Sequence, residues 1–454
     1  MDNNVLRRLI TTWNPHFEDV TRGAWHGKVP RQEYLTKIDG LLDIRHAIFL
    51  NGVRRSGKST LAHQTIGNLI ENKGVPPKNL LYLYLDDILV QPYLHLGAEL
   101  LEYLVRYYRE QYNPTGKVYI FLDEVQAVDS FNAWVASYYE RDENLKFILS
   151  GSRKSLLESE TATLLTGRNV VVEVYPLNFY EYLGLQNVHV EEGSSLEEIY
   201  RANEHNSLLL LHHLGNYFKE GGFPEIVLAK TNQQKTAIAN GYYRDIVTRD
   251  IILPNSIRNP ADIEVLGLRI LNDFTKKHTY SSLSKPHKLS IDTVKNYLKY
   301  FSGAYLFFES QYFSYKTKET QDLQKPRKIY VVDNGMRNFN VTISRPDIGQ
   351  YAENTVYMEL KKTSALVSYW DNKREVDLVV QKNGELRLFN SSYTNEIQDR
   401  ELAGMVEGLE EFGVDKGLVL TKDYFDSQKI NGKTVDFVPL WVWLISSSKH
   451  FFKI

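Results

Sequence analysis

Gly52-Val53-Arg54-Arg55-Ser56-Gly57-Lys58-Ser59 matches the phosphate-loop pattern GxxxxGK[ST] at every fixed position. The apolar run His-Ala-Ile-Phe-Leu-Asn at 46–51 leads into it, and a helical pattern over Thr60–Ile70 follows. Strand, glycine-bearing loop and helix in that order are what the chemistry needs. The glycines let the backbone curl so that its N–H groups face a phosphate, and the positive end of the next helix adds to the attraction. Lys58 is expected at the β- and γ-phosphates of ATP and Ser59 at Mg2+. Gly52, Arg55, Ser56, Gly57 and Thr60 complete the expected nucleotide cradle.

Working outward, similar apolar runs recur at Leu80–Leu85, Val118–Leu122, Leu145–Leu149 and Val170–Val174, with helical patterns such as Gly97–Tyr112 and Ser130–Arg141 between them. Strands alternating with helices predict a parallel α/β sheet. The run at 118–122 ends in Asp123-Glu124, and parallel strands deliver ligand-binding groups at their carboxyl ends. Asp123 is expected to hold Mg2+ and Glu124 to polarise the attacking water. Lys146-Phe147-Ile148-Leu149 ends in Ser150-Gly151-Ser152. In the additional-strand class of phosphate-loop ATPases a polar residue at this place senses the γ-phosphate, which makes Ser150 and Ser152 candidates. Arg168 is a candidate positive charge for the γ-phosphate, in its own chain or a neighbour's. The competing reading is a surface arginine paired with Glu173 or Glu181.

Length and composition set the frame. At 454 residues the chain is too long for one core. Lys+Arg 54 against Asp+Glu 56 leaves a net charge of -2, so no global basic field draws it to nucleic acid. There are no cysteines, which removes disulfides, thiolate catalysis and Cys-based metal sites. No apolar run nears the ~20 residues that cross a bilayer, and a cytoplasmic protein is expected.

Residues 280–301 have helix-turn-helix spacing. Ser281 is expected to open a first helix and Ser290 to cap a second. Ile291, Val294, Leu298 and Phe301 of the second should face the core, and Thr293, Lys295, Asn296 and Lys299 should face out. A hairpin pattern follows at Tyr305–Tyr315 and Arg327–Val332, its loop carrying Lys316, Lys318 and Lys325. The outward residues and the wing are the candidate DNA contact; a protein-binding platform would read alike.

The order of loop, Asp-Glu strand and Ser-Gly-Ser strand, then Leu165-Thr166-Gly167-Arg168 and Tyr175-Pro176-Leu177-Asn178-Phe179-Tyr180-Glu181, resembles a prokaryotic family of AAA-like ATPases. Gly221-Gly222-Phe223-Pro224-Glu225 and Tyr243-Arg244-Asp245-Ile246-Val247-Thr248-Arg249-Asp250 extend the likeness. The resemblance implies an additional-strand phosphate-loop domain over 1–193, a helical and winged-helix region over 194–335, and an α/β C-terminal domain over 336–454. It implies nucleotide binding and hydrolysis. The C-terminal domain is itself similar to the PD-(D/E)xK nuclease fold, with Glu353 and Asp377 as its acids. Phe389 and Ser391 stand where such a site wants an acid or amide and a lysine, so a fold without cleavage is expected. Oligomers and a DNA or protein partner are left open.

Overall fold

The computed structural model describes residues 1–154, 165, 167–316, 325–342 and 347–446, and these form two compact units, Met1–Val174 and Tyr175–Ile454. The first is built on five parallel strands: β1 (Ala47–Asn51), β2 (Leu80–Tyr84), β3 (Val118–Asp123), β4 (Leu145–Gly151) and β5 (Asn169–Glu173). Their order in the sheet is β2-β3-β4-β1-β5, so β4 lies between the phosphate-loop strand and the acid-bearing strand. Every strand named from the sequence forms. Ile48, Phe49 and Leu50 are fully buried, as expected of a parallel strand covered on both faces. This is the fold of an AAA-type phosphate-loop NTPase.

The segment before β1 does more than cover the sheet. Asn14 accepts from the Tyr82 amide at 2.7 Å and donates to its carbonyl at 2.8 Å, standing in for a neighbour on edge strand β2. On β4, Lys146 donates to the carbonyls of Leu41 and Ile44, both at 2.7 Å, and His46, at 2.5 Å, fixing the turn that enters β1.

The second unit begins with helices, among them Ser207–Glu220, Asn232–Asp245 and Pro260–Asn272; the second runs on into a π-helical stretch, Ile246–Ile252. Gly221-Gly222 has a steric reason. A Cβ on Gly222 would lie 2.1 Å from the Leu177 carbonyl, and one on Gly221 would lie 1.9 Å from Asp333. The buried Asp333 carboxylate accepts from the Gly222 amide at 2.6 Å and the Met336 amide at 3.1 Å.

A three-stranded sheet follows, of β6 (Lys277–His278), β7 (Phe307–Ser310) and β8 (Arg327–Val331) in the order β6-β8-β7. The helices Tyr280–His287 and Ile291–Gly303 lie between β6 and β7 in the chain. Ser290 caps the second as expected, accepting from the Thr293 amide at 3.0 Å. Thr279, not Ser281, caps the first. Val294, Leu298 and Phe301 are buried, but Ile291 is 45% exposed; Tyr297 takes the remaining inward place. Ile291 is the first helical residue and lies beyond the reach of the packed stripe.

The expected hairpin forms over Phe307–Ser310 and Arg327–Val331, paired antiparallel, and is shorter than its pattern. Past β7 the chain leaves its own hairpin. The Tyr369 amide donates to the Gln311 carbonyl at 3.0 Å, and the Phe313 amide to the Tyr369 carbonyl at 2.7 Å. Phe313 and Tyr315 pack edge-on against Phe412, ring centroids 5.1 and 5.7 Å away. Residues 311–315 are therefore bound into the C-terminal sheet. Lys325 lies over the Tyr312 ring at 4.3 Å, and Lys318 falls outside the described residues.

That C-terminal sheet comprises β9 (Leu366–Asp371), β10 (Glu375–Lys382), β11 (Glu385–Ser391), β12 (Lys416–Thr421), β13 (Asp426–Ile430) and β14 (Lys433–Pro439), ordered β13-β14-β12-β11-β10-β9. Phe389 is buried opposite Leu378. Glu353, on the helix Ile348–Lys362, and Asp377, on β10, come together at a lysine that the sequence reading did not include. Lys328 of β8 lies 2.8 Å from Glu353, 2.7 Å from Glu375 and 3.6 Å from Asp377. Tyr330 donates to Glu353 at 2.7 Å, and the Ser391 amide to Asp377 at 3.0 Å. The three carboxylates hold the ammonium charged against burial.

Candidate functional site

The phosphate loop leaves the carboxyl end of β1. A Cβ on Gly52 would lie 2.0 Å from the Val174 carbonyl, so no other residue fits there. Arg55 and Gly57 have φ of 71° and 96°; strain of this kind at a non-glycine residue concentrates in functional loops. Lys58 opens the helix Lys58–Glu71, with Ser59 and Thr60 in its first turn. The Lys58 ammonium folds back onto the loop, donating to the carbonyls of Gly52 at 3.0 Å and Val53 at 3.1 Å. The Ser56 hydroxyl is buried without a protein partner, a donor in want of an acceptor.

Asp123 ends β3, on the same carboxyl edge of the sheet. One carboxylate oxygen accepts from the Ser150 hydroxyl, the other from the Tyr82 hydroxyl at 2.5 Å. The Tyr82 hydroxyl thus holds one of the two residues named for the metal. His63 packs at a tilt against Tyr82 with ring centroids 4.2 Å apart, its pKa pushed down to about 4 mainly by burial. A carboxylate and a hydroxyl are hard oxygen donors. Mg2+ commonly takes only one or two such protein ligands besides substrate phosphates and water. Asp123 and Ser59 fit that pattern; among the described residues no cluster of three or more His, Asp or Glu side chains forms a metal cage.

Glu124 follows in a left-handed conformation with φ of 57°. Burial raises its pKa, against the opposing pull of Lys58. Its amide donates to the Ser150 hydroxyl at 3.1 Å. Ser150, expected at the γ-phosphate, is thus engaged with both acids. The Glu124 carboxylate accepts from the Gln126 side-chain amide, which also reaches the Ser152 hydroxyl at 3.3 Å.

Arg168 is not brought to this edge. Its carbonyl accepts from the Ala47 amide at the start of β1, the opposite end of that strand from the loop. Its guanidinium pairs with Glu140 at 2.7 Å.

Three residues at the site went unread in the sequence: Gln126, Tyr82 and Arg31. Arg31 is buried, donates to the Ser56 carbonyl at 3.0 Å and stacks over Tyr34 at 4.4 Å, bracing the loop from the N-terminal segment. Gln126 had a signal, a polar residue two places after the acids. Arg31 had none.

Comparison with known proteins agrees with this geometry. Residues 44–183 match the family model described as an AAA domain. Two further models, each described as a domain of unknown function, match residues 211–347 and 348–443. The chain is 29% identical over 412 residues to an uncharacterized protein of Methanocaldococcus jannaschii, covering 87% of each. It is 26% identical over 427 residues to an uncharacterized protein of Haemophilus influenzae, covering 91% of this chain and 98% of that one. A structure of the Aeropyrum pernix Orc1 protein in complex with DNA aligns over 75% of this chain and 96% of its own, at 11% identity and a TM-score of 0.31, too distant a likeness to bear on function. Sheet order, loop and family match together make residues 44–183 an AAA-type phosphate-loop domain.

Proposed function

We propose that the chain is a magnesium-dependent ATPase that works as a switch on a macromolecular partner. The observation that carries the reading is the acid pair at the carboxyl end of β3, on the same edge of the parallel sheet as the loop that leaves β1. Gly52, Arg55, Ser56, Gly57, Lys58, Ser59 and Thr60 hold the phosphates. Ser59 and Asp123 hold Mg2+, which neutralises phosphate charge when bound. Water attacks the γ-phosphorus as the bond to the bridging oxygen breaks. ADP leaves with that electron pair, and Glu124 takes the water's proton before inorganic phosphate departs. Ser150 keeps both acids aligned. In an oligomer, Arg168 meets a neighbour's nucleotide. The domains are taken as 1–193 for the ATPase, 194–335 for a helical and winged-helix region, and 336–454 for a PD-(D/E)xK-like fold without nuclease activity.

The test is ATP turnover and ATP binding by the purified chain beside Lys58→Ala and Glu124→Gln. Lys58→Ala is expected to lose binding, and Glu124→Gln to bind without turning over. Undiminished ATP binding by Lys58→Ala would end the reading.

A second reading, a DNA-associated regulator with ATP as a slowly turned-over ligand, is favoured by one observation. The helix Ile291–Gly303 leaves Asn296 and Lys299 exposed, while Lys295 pairs with Asp292 at 3.6 Å. Changing Lys295 and Lys299 to Glu should then abolish DNA retention with ATP binding intact. Unchanged retention would turn the search to a protein partner.

A further inference from the structure

Gln126 sits in the one-turn 3-10 helix Val125–Ala127 directly after the acid pair. Its amide nitrogen donates to the Glu124 carboxylate and to the Ser152 hydroxyl. The carboxylate is an acceptor only, and this fixes which end of the amide faces it: the NH2 must, and the carbonyl oxygen must point elsewhere. That oxygen is buried and has no hydrogen-bond partner among the described residues. An unpaired buried acceptor is costly, because it has given up its water without replacement. The residue is not bound to this arrangement by packing alone, since it is only half-buried. An acceptor left open beside a carboxylate asks for a molecule with two donors, one for each group. Water is that molecule.

We infer that Gln126 is a third member of the hydrolytic set: its NH2 aims the Glu124 carboxylate, and its carbonyl oxygen holds the attacking water. One water proton points to Glu124 and the other to Gln126. A lone pair on the water oxygen is then left for the γ-phosphorus. Gln126 stays neutral throughout; Glu124 alone takes a proton. The link to Ser152, next to the last residue of β4, ties this arrangement to the strand between the acids and the phosphate loop. The role rests on the ATPase reading above.

The experiment is steady-state ATP hydrolysis by the full chain, with separate measurement of Mg-ATP binding, for wild type, Gln126→Leu, Gln126→Asn and Glu124→Gln. Gln126→Leu is expected to lower kcat roughly tenfold to a hundredfold, with ATP affinity unchanged. Gln126→Asn keeps the amide and should recover part of the rate. A kcat for Gln126→Leu within twofold of wild type would overturn the inference while leaving the ATPase reading standing. Loss of ATP binding in both Gln126 variants would also overturn it, by making the residue a support of the loop. Wild-type turnover no higher than that of Glu124→Gln would bring down both, and would place the fault in the role given to Glu124.

Discussion

Replacing Lys328 by Met removes one ammonium from three carboxylates, and the cost can be worked group by group. Lys328 is 4% exposed. Breaking a buried ion pair by deleting one partner costs about 3–5 kcal/mol, because the other charge stays behind without compensation. Here the loss is uneven. Glu375 keeps Lys277 at 2.8 Å, and Asp377 keeps the Ser391 amide. Glu353 keeps only Tyr330, and burial already raises its pKa to about 7 in the presence of Lys328. Without the lysine it takes up a proton near neutrality, which caps the penalty. We expect about 3 kcal/mol, or a midpoint lower by roughly 6–12 °C. The sign of the pH dependence follows. The folded pKa of Glu353 lies above its unfolded value of 4.5, so its contribution is most favourable below that value and is lost as pH rises through the folded pKa. The variant's deficit should therefore grow between pH 5 and 8. Denaturant unfolding of the full chain at both pH values measures it, and adding Glu353→Gln to the variant should recover part of the loss. A Lys328→Met protein as stable as wild type at pH 8 would refute the reasoning.

Three other outcomes follow from the geometry. Tyr82→Phe removes the hydroxyl that donates to Asp123, a hydrogen bond to a charged group of about 1.5–3 kcal/mol; the Mg2+ concentration needed for ATP binding should rise severalfold. Gly52→Ala forces a methyl to within 2.0 Å of the Val174 carbonyl, and equilibrium binding should detect no ATP. Asp333 has its pKa raised by burial from 3.8 to about 6, so its stabilising contribution is complete below 3.8 and is lost as pH rises through 6. Relative to Asp333→Asn, wild-type unfolding free energy should gain up to about 3 kcal/mol on going from pH 7 to 4, read from denaturant midpoints.

The parts that were legible in the sequence are those written in adjacent residues. A parallel strand needs a few consecutive apolar side chains, and a phosphate loop is eight residues long, so β1–β5 and Gly52–Ser59 were read directly. Asp123 and Glu124 could be placed because strand direction alone carries them to the loop's edge. Tyr82 could not, since its partner Asp123 lies 41 residues away, and a tyrosine in an apolar strand reads as core. The same holds for Lys328, whose role depends on Glu353, 25 residues on, and on strand β10 beyond it. Ile291 was misassigned because periodicity gives the direction of a helix stripe but not where its packing stops. Arg168 could not be placed from the sequence, because the motif around it does not say which end of the sheet it adjoins.

The stitching of residues 311–315 to β9 bears on how the second unit can be divided. The boundary between its two family matches, at 347/348, looks like a place to cut. A fragment ending there would carry Phe313 and Tyr315 away from Phe412 and leave Lys328 without its carboxylates. It would also strip the cover from β9, presenting an open strand edge of the kind that pairs with other copies. Expressed alone, either half should aggregate. The two were shaped as one folding unit, and exchanging one between relatives would require the other to travel with it.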